Sequence, residues 1–284
     1  MRQRAVAAAV DTARHHGLRV DEPVVLHDLF SVRVHLRPAP VVARVPTWIG
    51  RLRPSLGETL ARELDVAAFL AAGGAPVVAP SAELPAGPHD AGELSVSYWT
   101  YVVADPQRVA TAADCAAMLV DLHAALDHYP GTLPQLVPTL IDHRRWLDVI
   151  DGHGQTNPTD HRRLLRAVER LEPWLTEAQQ STHVLHGDAH PGNLIATRDG
   201  LLWTDFEEVC RGPVEWDLAT IGDPSVSALH HRPDPRRLDR CDRLRALQVA
   251  MCLMALRDIF GDIPGWDDGI RDCLDALERG GDER

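Results

Sequence analysis

The chain has 284 residues, a formal net charge of −12 and a hydrophobic fraction of 45%. This length accommodates two modest domains or one large one, and the apolar content is sufficient for a sizeable core. The acidic balance argues against nucleic acid as a partner, because phosphate backbones are bound by basic surfaces. No apolar run reaches the roughly 20 residues that a membrane-spanning helix needs, so no membrane partner is expected.

The five cysteines are widely spaced, and none forms a CxxC pair. Such a set indicates buried thiols in a reducing compartment rather than a disulfide framework or a zinc site. We therefore expect a cytoplasmic protein. No pattern in the sequence specifies the oligomeric state.

The first hundred residues are typical of a β-rich region with one strong helix. Short runs of β-branched or alternating apolar residues predict strands at 24–26, 32–36, 41–45, 77–78 and 95–103. The SLGE sequence at 55–58 has the form of a capping box, and it predicts a helix that ends at the glycine pair 73–74.

Helical periodicity dominates after residue 105. It predicts helices at 111–126, 138–150, 161–177, 237–260 and 266–278. A strand-rich first part and a helix-rich second part predict an α+β protein of two lobes, 1–103 and 104–284. A cleft between two such lobes is the usual place for a small-molecule site.

Two short motifs, each with an aspartate, contain the best candidates for catalytic and metal-binding residues. HGDAHPGN occupies residues 186–193, and DFE occupies residues 205–207. The Pro-Gly pair inside the first motif breaks regular structure and predicts a loop. The apolar run 201–204 predicts a short strand that ends at the second motif.

The residue types in these motifs suit phosphoryl transfer. One carboxylate must orient the attacking hydroxyl and accept its proton, and Asp188 suits this role. Hard oxygen ligands must hold Mg²⁺ against the phosphates, and Asn193 and Asp205 suit that role. The chain is therefore interpreted as an enzyme that transfers the γ-phosphoryl group of Mg²⁺–ATP, or of Mg²⁺–GTP, to a hydroxyl group of a small molecule.

Both motifs, together with DLA at 217–219, resemble those of the aminoglycoside phosphotransferase and choline kinase-like superfamily. The resemblance implies a bilobal protein-kinase-like fold, with a small β-rich N-terminal lobe and a larger helical one. It implies that Asp188 is the catalytic base and that Asn193 and Asp205 bind Mg²⁺. It also implies that Asp217 braces the catalytic loop without taking part in the chemistry.

The same resemblance places nucleotide-binding residues in the first lobe. The family carries a basic residue on its third strand, which binds phosphates and pairs with a glutamate on the next helix. Arg44 and Glu63 occupy these two positions. Arginine replaces the usual lysine there, which keeps the charge and changes its reach.

Two further contacts with the nucleotide are expected. The loop at 27–33 contains no glycine, but Ser31 offers a hydroxyl and an amide to a phosphate. The backbone of Thr100 and Val102 falls where the family contacts adenine.

Two other functions stay open at this point. A metal-dependent hydrolase would use the ligand types of His186, Asp188, His190 and Asp205. A non-catalytic, nucleotide-binding pseudokinase is kept open by the arginine at position 44. Magnesium-dependent ATP turnover distinguishes the kinase from both.

No motif specifies the acceptor. Aminoglycosides and other antibiotics, amino sugars, sugars, choline-like alcohols and homoserine-like metabolites are candidates, and both antibiotic resistance and metabolism are compatible roles. Acidic residues are frequent toward the C-terminus: Asp223, Asp258, Asp262, Asp267, Asp268, Asp272 and Asp275. Their density favours a cationic acceptor such as an aminoglycoside or an amino sugar.

Overall fold

The computed structural model describes residues 1–48, 53, 55–153, 157–223, 232–261 and 263–279, without the side chains of His153, Asp258 and Ile259. Its helices are α1 (Arg2–His15), α2 (Leu56–Ala72), α3 (Ala112–Leu126), α4 (Pro138–Ile141), α5 (His143–His153), α6 (Pro158–Ala178), α7 (Val214–Ile221), α8 (Pro235–Phe260) and α9 (Trp266–Glu278). Its strands are β1 (Val20–Asp28), β2 (Ser31–Pro38), β3 (Val41–Pro46), β4 (His89–Ala91), β5 (Leu94–Thr100), β6 (His183–Leu185), β7 (Leu194–Ala196), β8 (Leu201–Trp203) and β9 (Cys210–Gly212).

Contacts between Cα atoms divide the chain into two compact units. The first unit comprises Met1–Thr111 and Pro191–Glu207, and the second comprises Ala112–His190 and Glu208–Arg284. This division differs from the single boundary predicted after residue 103, because Pro191–Glu207 groups with the first unit. The functional roles given to the two lobes stay predictions.

The first unit is built on a five-stranded antiparallel sheet in the order β1-β2-β3-β5-β4. Side chains alternate between the two faces of a strand. On β2 the buried residues Val32, Val34 and Leu36 share a core with Ala5 and Ala9 of α1. Helix α1 therefore covers one face of the sheet, and the intervening residues of β2 and β3 lie on the other face.

Helix α2 begins and ends close to the predicted positions, with Gly73 at its C-cap. Ser55 occupies the N-cap but makes no side-chain capping hydrogen bond within the described residues. The reciprocal bonding of a capping box is therefore absent. The physical reason is the backbone of Ser55, whose φ of −111° and ψ of 49° depart from the extended conformation of an ordinary N-cap.

The β7–β8 hairpin belongs to the first unit. The backbone N–H of Trp203 donates to the carbonyl of Pro76, and the N–H of Val78 donates to the carbonyl of Trp203, both at 2.8 Å. Within the described residues, Val77 pairs with Trp203 in an isolated bridge that no neighbouring pair extends, so the strand predicted at 77–78 does not form. The strand predicted at 201–204 is β8.

The second unit is helical and is organised around α8, which packs against α5, α6, α7 and α9. The buried apolar residues of α8 recur at helical spacing: Cys241, Leu244, Leu247, Met251, Met254 and Ala255. The helix predicted at 138–150 is divided into α4 and α5. Strand β6 pairs with β9, and the loop 186–190 follows β6 directly. Among the described helices, none is long and apolar enough to cross a membrane.

Candidate active site

A cavity of about 350 Å³ lies in the first unit, on the face of the sheet that α1 leaves uncovered. Its apolar part is lined mainly by Leu26, Val42, Val78, Trp99, Val102 and Ile195. Its polar part is formed by Arg33, Arg44, Glu63, Thr204 and Asp205. An apolar region that continues into a group of charges suits a nucleotide, because the faces of the base are apolar and the phosphates are anionic.

The structure brings most of the predicted nucleotide and metal residues to this cavity. Its lining includes Arg44, Glu63, Thr100, Val102 and Asp205. Ser31 is 4% exposed and lies outside the lining, so its contact with a phosphate stays a prediction. Asn193 is also outside the lining, in the short 3₁₀ turn Pro191–Asn193 that precedes β7.

Thr100 and Val102, the two positions whose backbone is predicted to contact the base, differ in their existing backbone hydrogen bonds. The N–H of Thr100 already donates to the carbonyl of Ala79 at 3.0 Å. Within the described part of the chain, no backbone hydrogen bond involves Val102. Val102 also lines the cavity, and its contact with the base stays a prediction.

Arg44 is the centre of the charged part of the cavity, and its side chain is 7% exposed. Its Nη1 donates to Oε2 of Glu63 at 2.5 Å. Its Nη2 donates to Oε2 of Glu207 at 2.6 Å and to Oδ1 of Asp205 at 3.2 Å. The predicted contact between Arg44 and Glu63 is present, and two further carboxylates share the same guanidinium.

Burial has opposite effects on the two members of this pair. It raises the pKa of the Glu63 carboxyl above its ordinary value, against the opposing charge of Arg44. It lowers the pKa of Arg44, but the three surrounding carboxylates outweigh it and hold that pKa well above its ordinary value. Arg44 is therefore a permanent cation inside the cavity, as an anchor for phosphates must be.

Asp205 follows β8 and has a φ of 68°, which is unusual for a residue other than glycine. Such a conformation costs of order 1 kcal/mol or more and persists only where the surroundings enforce it. The next residue, Phe206, is fully buried. The carboxylate of Asp205 and the amide oxygen of Asn193 are hard oxygen donors of the kind that Mg²⁺ binds, so the residues present fit a divalent metal.

The second unit holds the loop of the first motif. Asp217 is fully buried, and its carboxylate accepts hydrogen bonds from the backbone N–H groups of His186 at 2.9 Å and Gly187 at 2.8 Å. The indole N–H of Trp216 donates to the carbonyl of Gly187 at 2.7 Å. Asp217 therefore braces the loop, as the resemblance implies, and Trp216 assists it.

Asp188 is contacted by two basic side chains of the second unit. Nη2 of Arg245, on α8, lies 2.8 Å from its Oδ1, and Nε2 of His190 lies 3.3 Å from its Oδ2. Burial raises the pKa of the Asp188 carboxyl, but these two neighbours outweigh it and hold that pKa well below its usual range. Asp188 is therefore ionised at neutral pH, and its role depends on position more than on basicity.

The structure gives little support to a hydrolytic metal centre. His186 is fully buried, and its Nδ1 accepts the backbone N–H of Asp188 at 3.3 Å. Among the described residues, no three His, Cys, Asp or Glu side chains are arranged to hold a metal ion. His186 therefore holds the shape of the loop, as a structural histidine does.

Arginines bind several of the acids from which a cationic acceptor was inferred. Arg257 binds Asp267 at 3.0 Å, and two other aspartates, Asp268 and Asp275, bind Arg271 and Arg163. The side chain of Asp258 and the whole of Asp262 lie outside the described residues. The paired acids do not form an open anionic patch.

Sequence reasoning missed three charged residues of these sites. Arg33 contacts Asp205, Glu207 contacts Arg44, and Arg245 contacts Asp188. The only advance signal was the glutamate that follows Asp205-Phe206 in the second motif. Nothing local in the sequence marks Arg33 or Arg245, because their partners are far away along the chain.

Comparison with known proteins gives one family and one fold. A family model described as "Phosphotransferase enzyme family" (APH) matches residues 33–246, which is more than half of the chain. A search of curated proteins finds no significant match.

Three solved structures illustrate the fold. An amicoumacin kinase, hAmiN, in complex with AMP-PNP, Ca²⁺ and Ami is 12% identical, with a TM-score of 0.68 over 98% of this chain and 96% of that one. The choline kinase LicA from Streptococcus pneumoniae is 13% identical, with a TM-score of 0.68 over 94% and 97%. A microcompartment-associated aminopropanol kinase is 15% identical, with a TM-score of 0.64 over 95% and 94%. These similarities confirm the expected α+β, protein-kinase-like fold.

Proposed function

Since this chain belongs to the APH phosphotransferase enzyme family, we propose that it transfers the γ-phosphoryl group of ATP or GTP to a hydroxyl group of a small, amine-bearing molecule. The observation that carries the proposal is the cavity of the first unit, where an apolar region continues into the Arg44–Glu63–Asp205 cluster. Family membership favours phosphotransfer over the metal-dependent hydrolase. A cytoplasmic location agrees with the five free cysteines.

Each predicted residue has a distinct part in the proposed reaction. Val102 contacts the base through its backbone, and Arg44, held by Glu63, binds the phosphates. Asn193 and Asp205 hold Mg²⁺, which when bound would neutralise charge on the transferring group.

Asp188 orients the hydroxyl of the acceptor and receives its proton. Because the pKa of Asp188 is held low, proton transfer occurs late, and catalysis depends mainly on positioning and charge neutralisation.

The amine on the acceptor is the finer part of the proposal. It is supported by the net charge of −12 and by the substrates that name the structural neighbours, which include choline and aminopropanol. A diffuse negative charge attracts cations to the whole molecule without a dedicated acidic patch.

The test is a phosphorylation screen of hydroxyl compounds, with and without amino groups, using Mg²⁺–ATP and Mg²⁺–GTP. We expect turnover with at least one acceptor. In the Asp188→Asn variant that turnover should fall by roughly 10²-fold or more, since the proton acceptor is lost while the volume is kept.

Asp199→Asn, a change at an exposed loop residue, is the control and should leave the rate unchanged. Near-normal turnover in Asp188→Asn would contradict the assignment. Nucleotide binding without turnover on any compound would instead favour the pseudokinase.

A further inference from the structure

Two guanidinium groups bind the carboxylate that is proposed to hold the metal. Nη2 of Arg44 donates to Oδ1 of Asp205 at 3.2 Å, and Nη2 of Arg33 donates to Oδ2 at 2.9 Å. Both carboxylate oxygens of Asp205 are therefore engaged by guanidinium groups. A divalent metal at Asp205 must compete with these contacts, because a guanidinium and a metal ion repel each other.

The register of the sheet brings the two arginines together. Arg33 on β2 pairs directly with Arg44 on β3 in the antiparallel ladder. Side chains of directly opposite residues point to the same face, and two like charges in such a pair repel each other. An anion between them offsets the repulsion, and Asp205 supplies that anion here.

The two arginines differ in how firmly they are held. Arg44 is 7% exposed and also binds Glu63 and Glu207. Arg33 is 32% exposed, and among the described residues Asp205 is the one carboxylate that it binds. Arg33 is therefore the arginine that can leave Asp205 at small cost, and it lines the same cavity.

We propose that Arg33 is a nucleotide-binding residue that moves from Asp205 to the phosphates when the metal–nucleotide complex binds. An arginine fork suits phosphate oxygens, which it can bind in pairs. Residues 27–33 span the end of β1, the turn and the start of β2 and include no glycine, so the closely approaching backbone amides of a glycine-rich loop are not provided there. The guanidinium of Arg33 on β2 supplies positive charge in their place. The inference rests on the proposed function.

This exchange of Arg33 from Asp205 to the phosphates would couple metal binding to nucleotide binding. A metal ion alone must displace Arg33 without compensation, whereas a metal bound to a triphosphate brings a new anionic partner for Arg33. Removing the guanidinium should therefore strengthen the binding of metal alone and weaken the binding of nucleotide phosphates. A residue with only a structural role would not change these two affinities in opposite directions.

The experiment measures binding by the Arg33→Gln variant, by the wild type and by Arg37→Gln. Arg37 lies on the same strand, is 48% exposed and pairs with Glu22, so its replacement removes the same charge away from Asp205. Calorimetry with AMP and with ATP, each with Mg²⁺, measures nucleotide affinity. Electron paramagnetic resonance measures Mn²⁺ binding without nucleotide.

We expect Arg33→Gln to bind ATP roughly tenfold or more weakly than the wild type and to bind AMP equally well. It should bind Mn²⁺ alone severalfold more tightly, and Arg37→Gln should match the wild type in every titration. Arg33→Lys, which keeps the charge without the fork, should give intermediate ATP affinity and guards against a folding defect in the first variant.

Equal ATP affinity in Arg33→Gln and the wild type would overturn the inference and leave the proposed function standing. Weaker binding of Mn²⁺ alone by Arg33→Gln would overturn the exchange as well. If the wild type binds neither ATP nor, in a parallel titration, GTP, the proposed function and the inference fall together.

Discussion

At the scale of single residues, two backbone positions have conformations that constrain what can stand there. Gly187 has a φ of 84°, and a Cβ atom at this position would lie 2.0 Å from the carbonyl oxygen of Glu208. Asp205 has a similar φ although it carries a side chain, and its carboxylate is bound by Arg33 and Arg44. A glycine is required at the first position for space and conformation, whereas the second requires the carboxylate.

Replacement of Gly187 by alanine should destabilise the protein. The left-handed backbone alone costs about 1–2 kcal/mol for a residue with a Cβ, and the overlap with the Glu208 carbonyl forces the loop to move. We expect a drop of several degrees in the melting temperature, measured by calorimetry. Gly57→Ala in α2 is the control, because nothing lies within 4 Å of its Cβ and alanine favours a helix. An unchanged melting temperature for Gly187→Ala would show that the loop adapts without cost.

At the scale of elements, each of the two units has one element that places an arginine against a candidate site residue. Strand β2 delivers Arg33, and helix α8, whose buried stripe forms the centre of the second unit, delivers Arg245 to Asp188. The hydrophobic pattern of α8 predicts the helix but does not predict that Arg245 contacts Asp188. The contact becomes visible only when the packing of α8 is known.

Removal of Arg245 should change the pH dependence of the reaction. In the wild type the pKa of Asp188 is depressed, so this proposed base is ionised at all ordinary pH values and should add no acidic limb to kcat/KM. In Arg245→Gln the largest opposing charge is lost, so the pKa of Asp188 rises, and on acidification the activity begins to fall at a higher pH than in the wild type. The measurement is kcat/KM from pH 5 to pH 8.

Two further variants separate the effect of the Arg245 charge from other effects of the substitution. Arg245→Lys should restore most of the wild-type profile. Arg243→Gln, on the same helix with Asp239 as its partner, should not shift it. Parallel profiles for Arg245→Gln and the wild type would mean that Arg245 does not set the ionisation of the base.

At the scale of the whole molecule, the family match confirms the predicted enzyme class, a phosphotransferase, and the structural similarities confirm the predicted fold class. The acidic net charge is the molecular property that bears on the acceptor. Several acids near the C-terminus already bind arginines. Among the described residues these paired acids offer no open anionic patch, so we expect the summed charge to attract a cationic acceptor.

Ionic strength should then control the affinity for the acceptor. Salt screens charges over roughly 10 Å at 0.1 M, so the KM of an amine-bearing acceptor should rise steeply between low and moderate salt at saturating nucleotide. A neutral analogue with the same hydroxyl group serves as the control and should respond little. A flat response of the amine, or a neutral sugar as the best acceptor in the screen, would refute the cationic acceptor and leave the kinase assignment intact.

The sequence by itself indicated the candidate catalytic motifs, whose roles stay predictions, and most of the secondary structure. Asp188, Asn193 and Asp205 lie within one short stretch whose turn residues and apolar runs are local signals, and the helices after residue 105 follow from periodicity. Only the tertiary structure decided which charges accompany these residues. Arg33 and Asp205 are 172 positions apart, and their contact depends on strand register and on the β7–β8 hairpin joining the first unit. Local patterns report the conformation of a segment, but charge pairing between distant segments is fixed by how the segments pack.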